Sequence, residues 1–184
     1  MKQSELTFSK VDTSMVNVLE QISKSTFIET FASHNTTQDI ETYVNQALSN
    51  RQLYNEVSLS NSEFYILLLH DIVIGYFKIN TCSIQLLNNG KNANFEIERL
   101  YISSTHQGMG YGSACIQFCE ERALSLNKNT MWLGVWEHNY NAIRFYQRHN
   151  YTFQGEKHFL LGNDRQTDFI MSKELNGQIL SQEH

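Results

Sequence analysis

Residues 107–112 read QGMGYG, three glycines on alternate positions. Before them lies the apolar run FEIERLYI (95–102), and after them Cys115, Phe118, Cys119, Ala123 and Leu126 recur at helical spacing. Glycine has no Cβ, so a loop of this kind lets backbone approach an anion closely while the N–H groups of the next helix point at it. Two phosphate loops fail against the stretch. A P-loop needs G-x-x-x-x-G-K-[ST], and no lysine stands here. A dinucleotide fingerprint needs G-x-G-x-x-G with an acidic residue about 20 positions on. Here the third glycine comes one residue early, and the region of Lys128 and Asn129 supplies no carboxylate. The stretch predicts a strand, an anion-binding loop and a helix, with the anion still open.

Working outward, SELTFSKV alternates as a first strand, and Asp12 or Thr13 caps a helix through about Lys24. TTQDIETYVNQALS is a second helix with Thr36 or Thr37 as cap. EFYILLL and IVIGYFKI flank His70-Asp71 as a hairpin of buried strands, and NNGKNAN is a polar turn region before FEIERLYI. After the glycine loop and its helix come the strand TMWLGVW, a short helix NAIRFYQRH after Asn139, and a closing pair YTFQGEKHFLL and QTDFIMSKEL. The expected order is β-α-α-β-β-β-α-β-α-β-β, an α/β fold with a mixed central sheet flanked by helices. One domain over 1–175 is expected, with 176–184 as a flexible tail.

Composition narrows the function classes. The 184 residues are 41% apolar and 18% charged, with no apolar run near the ~20 needed to span a bilayer. The opening MKQSELTF has no signal-peptide core, so a cytoplasmic location is expected. A net charge of -5 argues against a nucleic-acid partner and is weakly suited to a cationic substrate. The three cysteines lack C-x-x-C spacing; Cys115 and Cys119, four apart on an apolar helix face, fit core packing better than a redox or metal role. Seven histidines stand singly, without zinc-ligand spacing, so no metal is implied.

LYISSTHQGMGYG, with Leu100 and Ile102 before Gln107, Gly110 and Gly112, resembles the [QR]-x-x-G-x-[GA] motif of the GCN5-related N-acetyltransferases, the GNAT superfamily. A second family motif, N-x-x-A-x-x-x-Y-x-x-x-G-[FY], finds Asn139, Ala142, Tyr146 and Tyr151, with Asn150 in place of glycine. Asparagine tolerates the left-handed conformation that the end of a helix requires. The resemblance spans most of residues 3–173. Within the family the chain is most similar to PaiA-type spermidine/spermine acetyltransferases, through STFIETFASHN, YVNQAL, WLGVWEHN, AIRFYQRHNY and LGNDRQTDFIM.

The resemblance implies a GNAT fold, acetyl-CoA as cosubstrate and coenzyme A pyrophosphate as the anion. It places backbone N–H groups of Gly108, Gly110, Gly112 and Ser113 on the pyrophosphate, with Gln107, Met109 and Tyr111 in the same loop. It also implies a bulge that frees backbone along Leu100, Tyr101 and Ile102 for the pantetheine arm. Asn139 caps its helix and can donate to the cofactor, and Arg148 either reaches a coenzyme phosphate or is a solvated arginine. Tyr146, four residues after Ala142 and so on its helix face, is the expected proton donor to the departing thiolate, with a buried structural tyrosine as the alternative.

An alkylamine with a pKa of ~10.4 must lose a proton before it attacks, and Glu98 is the expected acceptor, directly or through water, with Glu29 and Glu137 behind it. A solvent-facing or salt-bridged glutamate is the alternative. Glu29, Phe31 and Glu41 are the expected substrate contacts, Phe31 being equally readable as helix core. The expected reaction is direct transfer to a primary amine, a polyamine by preference, in a ternary complex. A protein or peptide acceptor and a weakly catalytic acyl-CoA-binding regulator are the rivals. Neither nucleic acid nor membrane is an expected partner, and a homodimer is left open.

Overall fold

The computed structural model describes residues 6–161 and 164–175. Among these residues the strands are β1 (Leu6–Lys10), β2 (Ser62–Leu69), β3 (Ile72–Asn80), β4 (Gln85–Leu86), β5 (Asn92–Ala93), β6 (Phe95–Ile102), β7 (Thr130–Trp136), β8 (Thr152–Leu161) and β9 (Asp164–Glu174). The helices are α1 (Val16–Phe31), α2 (Thr37–Ala47), α3 (Asn50–Val57), α4 (Tyr111–Ser125) and α5 (Tyr140–Arg148). Seven strands form one mixed sheet in the order β1-β2-β3-β6-β7-β9-β8, and β4-β5 form a separate pair. This is the mixed α/β fold expected from the sequence.

The local chemistry explains the boundaries. His70 and Asp71 both take positive φ, 48° and 66°, as the two central residues of a tight hairpin turn do. The Thr36 side chain accepts from the Asp39 N–H to cap α2, and Asn139 Oδ1 accepts from the Ala142 N–H at 3.2 Å to cap α5. Asn150, where the family motif has glycine, takes φ 65° just beyond α5.

Contacts divide the chain into two compact units. Among the described residues the first comprises 6–78, 99–112, 160–161 and 164–165. Its core joins Val11, Val16, Leu19, Leu53, Phe64, Ile66 and Tyr76, with Tyr101 packed against them. β1 pairs antiparallel with β2 from Leu6↔Leu69 to Lys10↔Tyr65. Gly75 is required by close approach: a Cβ there would stand 2.5 Å from the Tyr101 carbonyl oxygen, so only glycine lets β6 come this near. Beneath α3, Glu56 meets Lys78 at 2.9 Å and Arg99 at 3.0 Å. Burial works to raise the Glu56 pKa, and Arg99 and Lys78 together outweigh it, so the carboxyl lies below its ordinary 4.5.

Among the described residues the second unit comprises 79–98, 113–159 and 166–175. β6 and β7 run parallel there through three pairs, Phe95↔Met131, Glu96↔Trp132 and Ile97↔Leu133. β7 pairs antiparallel with β9 from Thr130↔Glu174 to Trp136↔Asp168. Cys115, Ile116, Cys119 and Ala123 of α4 are buried, and the Tyr151 hydroxyl donates weakly to Met131 Sδ at 3.9 Å. Leu87, just after β4, and Ala93 of β5 form a second cluster with Trp132 and Ile170.

The expected element order needs three corrections. α1 begins after a 3-10 turn at Thr13–Met15, capped by Asp12, and runs to Phe31 rather than Lys24, because Phe27 and Phe31 extend its buried stripe with no glycine to stop it. α3 was not expected: its eight polar-rich residues bury only Leu53 and Glu56, too short a stripe to read as periodic. The polar turn region contains part of the β4-β5 pair. The expected tail at 176–184 lies outside the described residues.

Candidate active site

The first unit holds the glycine loop. Gly108 and Gly110 take φ 76° and 88°, and Gly108, Met109 and Gly110 are exposed. A Cβ on either glycine would meet nothing within 4 Å, so what demands glycine is the backbone conformation rather than crowding. Turns of this kind aim N–H groups into anion-binding concavities, and α4 begins at Tyr111 directly after them. The loop is pinned from its own side: Gln107 Nε2 donates to the Ile102 carbonyl at 2.9 Å, and Glu29 Oε2 accepts from the Ser104 N–H at 2.8 Å. Gln107 thus occupies a carbonyl on the segment where free backbone was expected. Glu29 is a loop brace in this arrangement, and its expected substrate contact would compete with that bond. Phe31 is buried against Phe27 and Tyr101, with ring centroids 4.6 and 6.3 Å away, while Glu41 is exposed on α2.

We predict that Gly110→Val weakens acetyl-CoA binding by about tenfold, the equivalent of about 1.4 kcal/mol, because a β-branched residue at φ 88° forces the loop to another shape. Calorimetric titration would measure it. Far-UV circular dichroism should be unchanged, since no neighbour is displaced, and an unaltered dissociation constant would remove the loop from the site.

In the second unit Ser113 lies in the first turn of α4, Asn139 caps α5, and Tyr146 and Arg148 belong to α5. Tyr146 is buried, with its ring edge-on to Phe145 and Tyr151. Burial, and after it the adjacent Cys119 and Cys115, hold the phenol above its ordinary 10.0, so it carries its proton throughout the physiological range. Among the described residues its hydroxyl has no hydrogen-bond partner. Ser113 Oγ lies 3.0 Å from Nε2 of His149, a residue missed in the sequence, which joins the end of α5 to the first turn of α4. Burial, then Lys173, lowers His149 below its ordinary 6.5 against the opposing pull of Glu120. Arg148 is exposed beside it.

Glu98 is half-buried in this unit, and Asn80 Nδ2 donates to its Oε2 at 2.6 Å. The same nitrogen donates to Glu96 Oε2 at 2.8 Å. Asn80 and Glu96 were not singled out in the sequence. A strand-end asparagine resembles any turn residue, and only the sheet brings it to β6. Glu137 is half-buried after β7. Asp168, paired with Trp136, is pushed up to about 6 by burial against the opposing pull of Lys157. Among the described residues no group of three or more His, Cys, Asp or Glu side chains is arranged to hold a metal, and no helix is long and apolar enough to cross a membrane.

With this geometry in place, residues 20–151 match the acetyltransferase (GNAT) family. The chain belongs to that family and is an acetyl-CoA-dependent acetyltransferase. It is 37% identical over 154 residues to an uncharacterized N-acetyltransferase of Lactobacillus delbrueckii subsp. lactis, covering 84% of this chain and 88% of that one. It is 32% identical over 72 residues to a spermine/spermidine N(1)-acetyltransferase of Bacillus subtilis, covering 39% of this chain and 47% of that one. The fold is similar to that of PaiA N-acetyltransferase from Thermoplasma acidophilum, solved in complex with coenzyme A, with TM-score 0.75 and 17% identity over 92% of this chain and 99% of that one.

Proposed function

We propose that this chain moves the acetyl group of acetyl-CoA to a primary amine of a polyamine such as spermidine or spermine, by direct transfer in a ternary complex. The observation that carries the transfer chemistry is Tyr146, a buried phenol that keeps its proton and has no hydrogen-bond partner for its hydroxyl among the described residues. A neutral amine attacks the thioester carbonyl, the C–N bond forms and the C–S bond breaks. Glu98 takes the proton that the ammonium must lose before attack. Tyr146 gives a proton to the departing sulfur, and the second amine proton, released as the amide forms, restores the phenol. Backbone of Gly108, Gly110, Gly112 and Ser113, with Asn139 and Arg148, is the proposed hold on the coenzyme.

Direct transfer is supported by the thiols of α4. Burial pushes Cys115 up to about 12 and Cys119 well above its ordinary 9.0, so neither supplies a thiolate nucleophile. The polyamine reading is supported by the Bacillus subtilis relative and by the net charge of -5. The test is coenzyme A release over a panel of polyamines, amino acids and short peptides. Polyamines should give the highest kcat/KM, and their KM should rise with salt, because exposed charge attraction is screened over ~8 Å at physiological ionic strength. Peptides that outcompete polyamines at every salt concentration would move the assignment to a protein acetyltransferase.

A further inference from the structure

We infer that Asn80 is a positioning residue for proton acceptance, holding the Glu98 carboxylate through a clamp anchored on Glu96; this rests on Glu98 being the proton acceptor. Asn80 closes β3, and its amide nitrogen spends one hydrogen on Glu98 Oε2 at 2.6 Å and the other on Glu96 Oε2 at 2.8 Å. Ionised carboxylates only accept hydrogen bonds, so two of them facing one amide require its nitrogen, rather than its oxygen, to point their way. The two glutamates differ in burial. Glu96 is 7% exposed, whereas Glu98 is half-buried. Glu96 therefore fixes the amide, and the amide fixes Glu98.

The arrangement matters because a general base must lie within about 2.6–3.2 Å of the proton it takes. Two carboxylates two residues apart on one strand repel each other, and without the Asn80 amide Glu98 loses one of the bonds that set its position. Asn80 counters this without adding charge. A lysine or arginine in its place would also hold Glu98, but would place a cation beside an acceptor that must receive a proton from an ammonium.

The test compares two acceptors: a strongly basic alkylamine, almost wholly protonated at neutral pH, and a weakly basic amine that is already neutral in the assay. Asn80→Ala should lower kcat/KM for the basic amine on the order of tenfold or more, as loss of a hydrogen bond to a charged group does. For the weakly basic amine the loss should stay under about threefold, because no proton need be removed before attack. Asn80→Leu keeps the side-chain shape while losing both N–H donors and adding no charge, and should show the same selective loss if Asn80→Ala does not fold. Glu98→Gln is run in parallel. Equal losses with both amines, or none with either, in the Asn80 variants would overturn the clamp while a selective loss in Glu98→Gln left the base standing. A Glu98→Gln enzyme as active as wild type with the basic amine would overturn both.

Discussion

Tyr146→Phe should lose turnover by ~10²- to 10⁴-fold, the usual worth of a general acid, while binding acetyl-CoA and folding as the parent does. The structure separates the two roles of this side chain. Its ring is packed edge-on to Phe145 and Tyr151, at centroid distances of 5.2 and 5.8 Å, and phenylalanine keeps both contacts. Its hydroxyl has no hydrogen-bond partner among the described residues, so removing it breaks no internal bond. A tyrosine conserving only structure would therefore be silent on replacement. Steady-state kinetics, coenzyme titration and thermal melting on one preparation would tell the outcomes apart. Burial also keeps the phenol protonated, so no fall in rate on the alkaline side should trace to Tyr146 before the pH exceeds its ordinary 10.0. Wild-type turnover in Tyr146→Phe would end its assignment as proton donor.

Glu56→Gln should cost about 3–5 kcal/mol, the usual penalty for removing one partner of a buried ion pair. Lys78 and Arg99 are 7% and 11% exposed at their side chains, and each loses its bond to a charged oxygen while remaining desolvated. At ~2–4 °C per kcal/mol for a chain of this size, melting should fall by roughly 6–20 °C. The sign of the pH dependence follows from the lowered Glu56 pKa. Its contribution is full above the unfolded carboxyl's ordinary 4.5, and it is lost as pH falls through the lower folded value. Wild type and variant should therefore differ most near neutrality and converge in acid. Melting temperatures equal at neutral pH would show that the cluster is neutral in the balance of stability.

Legibility in the sequence followed the range of the interactions. The hairpin at His70-Asp71, the caps at Thr36 and Asn139 and the left-handed Asn150 depend on a few neighbouring residues, and all stand as read. α3 escaped because a short helix with two buried residues leaves no periodic trace. The glycine loop was legible as a shape, but its braces were not, since Glu29 reaches Ser104 across 75 positions. The same holds for Asn80, 18 positions from Glu98, and for His149, 36 positions from Ser113. Motif positions announce themselves through spacing, whereas the residues that hold them in place are chosen by the sheet and by helix packing.

The distribution of the three thiols decides how this enzyme can be followed at the bench. Cys115 and Cys119 are buried with pKa values raised by that burial, and Cys82 alone is exposed. A colorimetric disulfide reagent that detects free coenzyme A should therefore titrate a single protein thiol at once and the other two only on denaturation. The folded enzyme would contribute a constant blank of one equivalent, and Cys82→Ser should abolish it. That variant would give a background-free continuous assay, and the parent a ready attachment point for one maleimide dye.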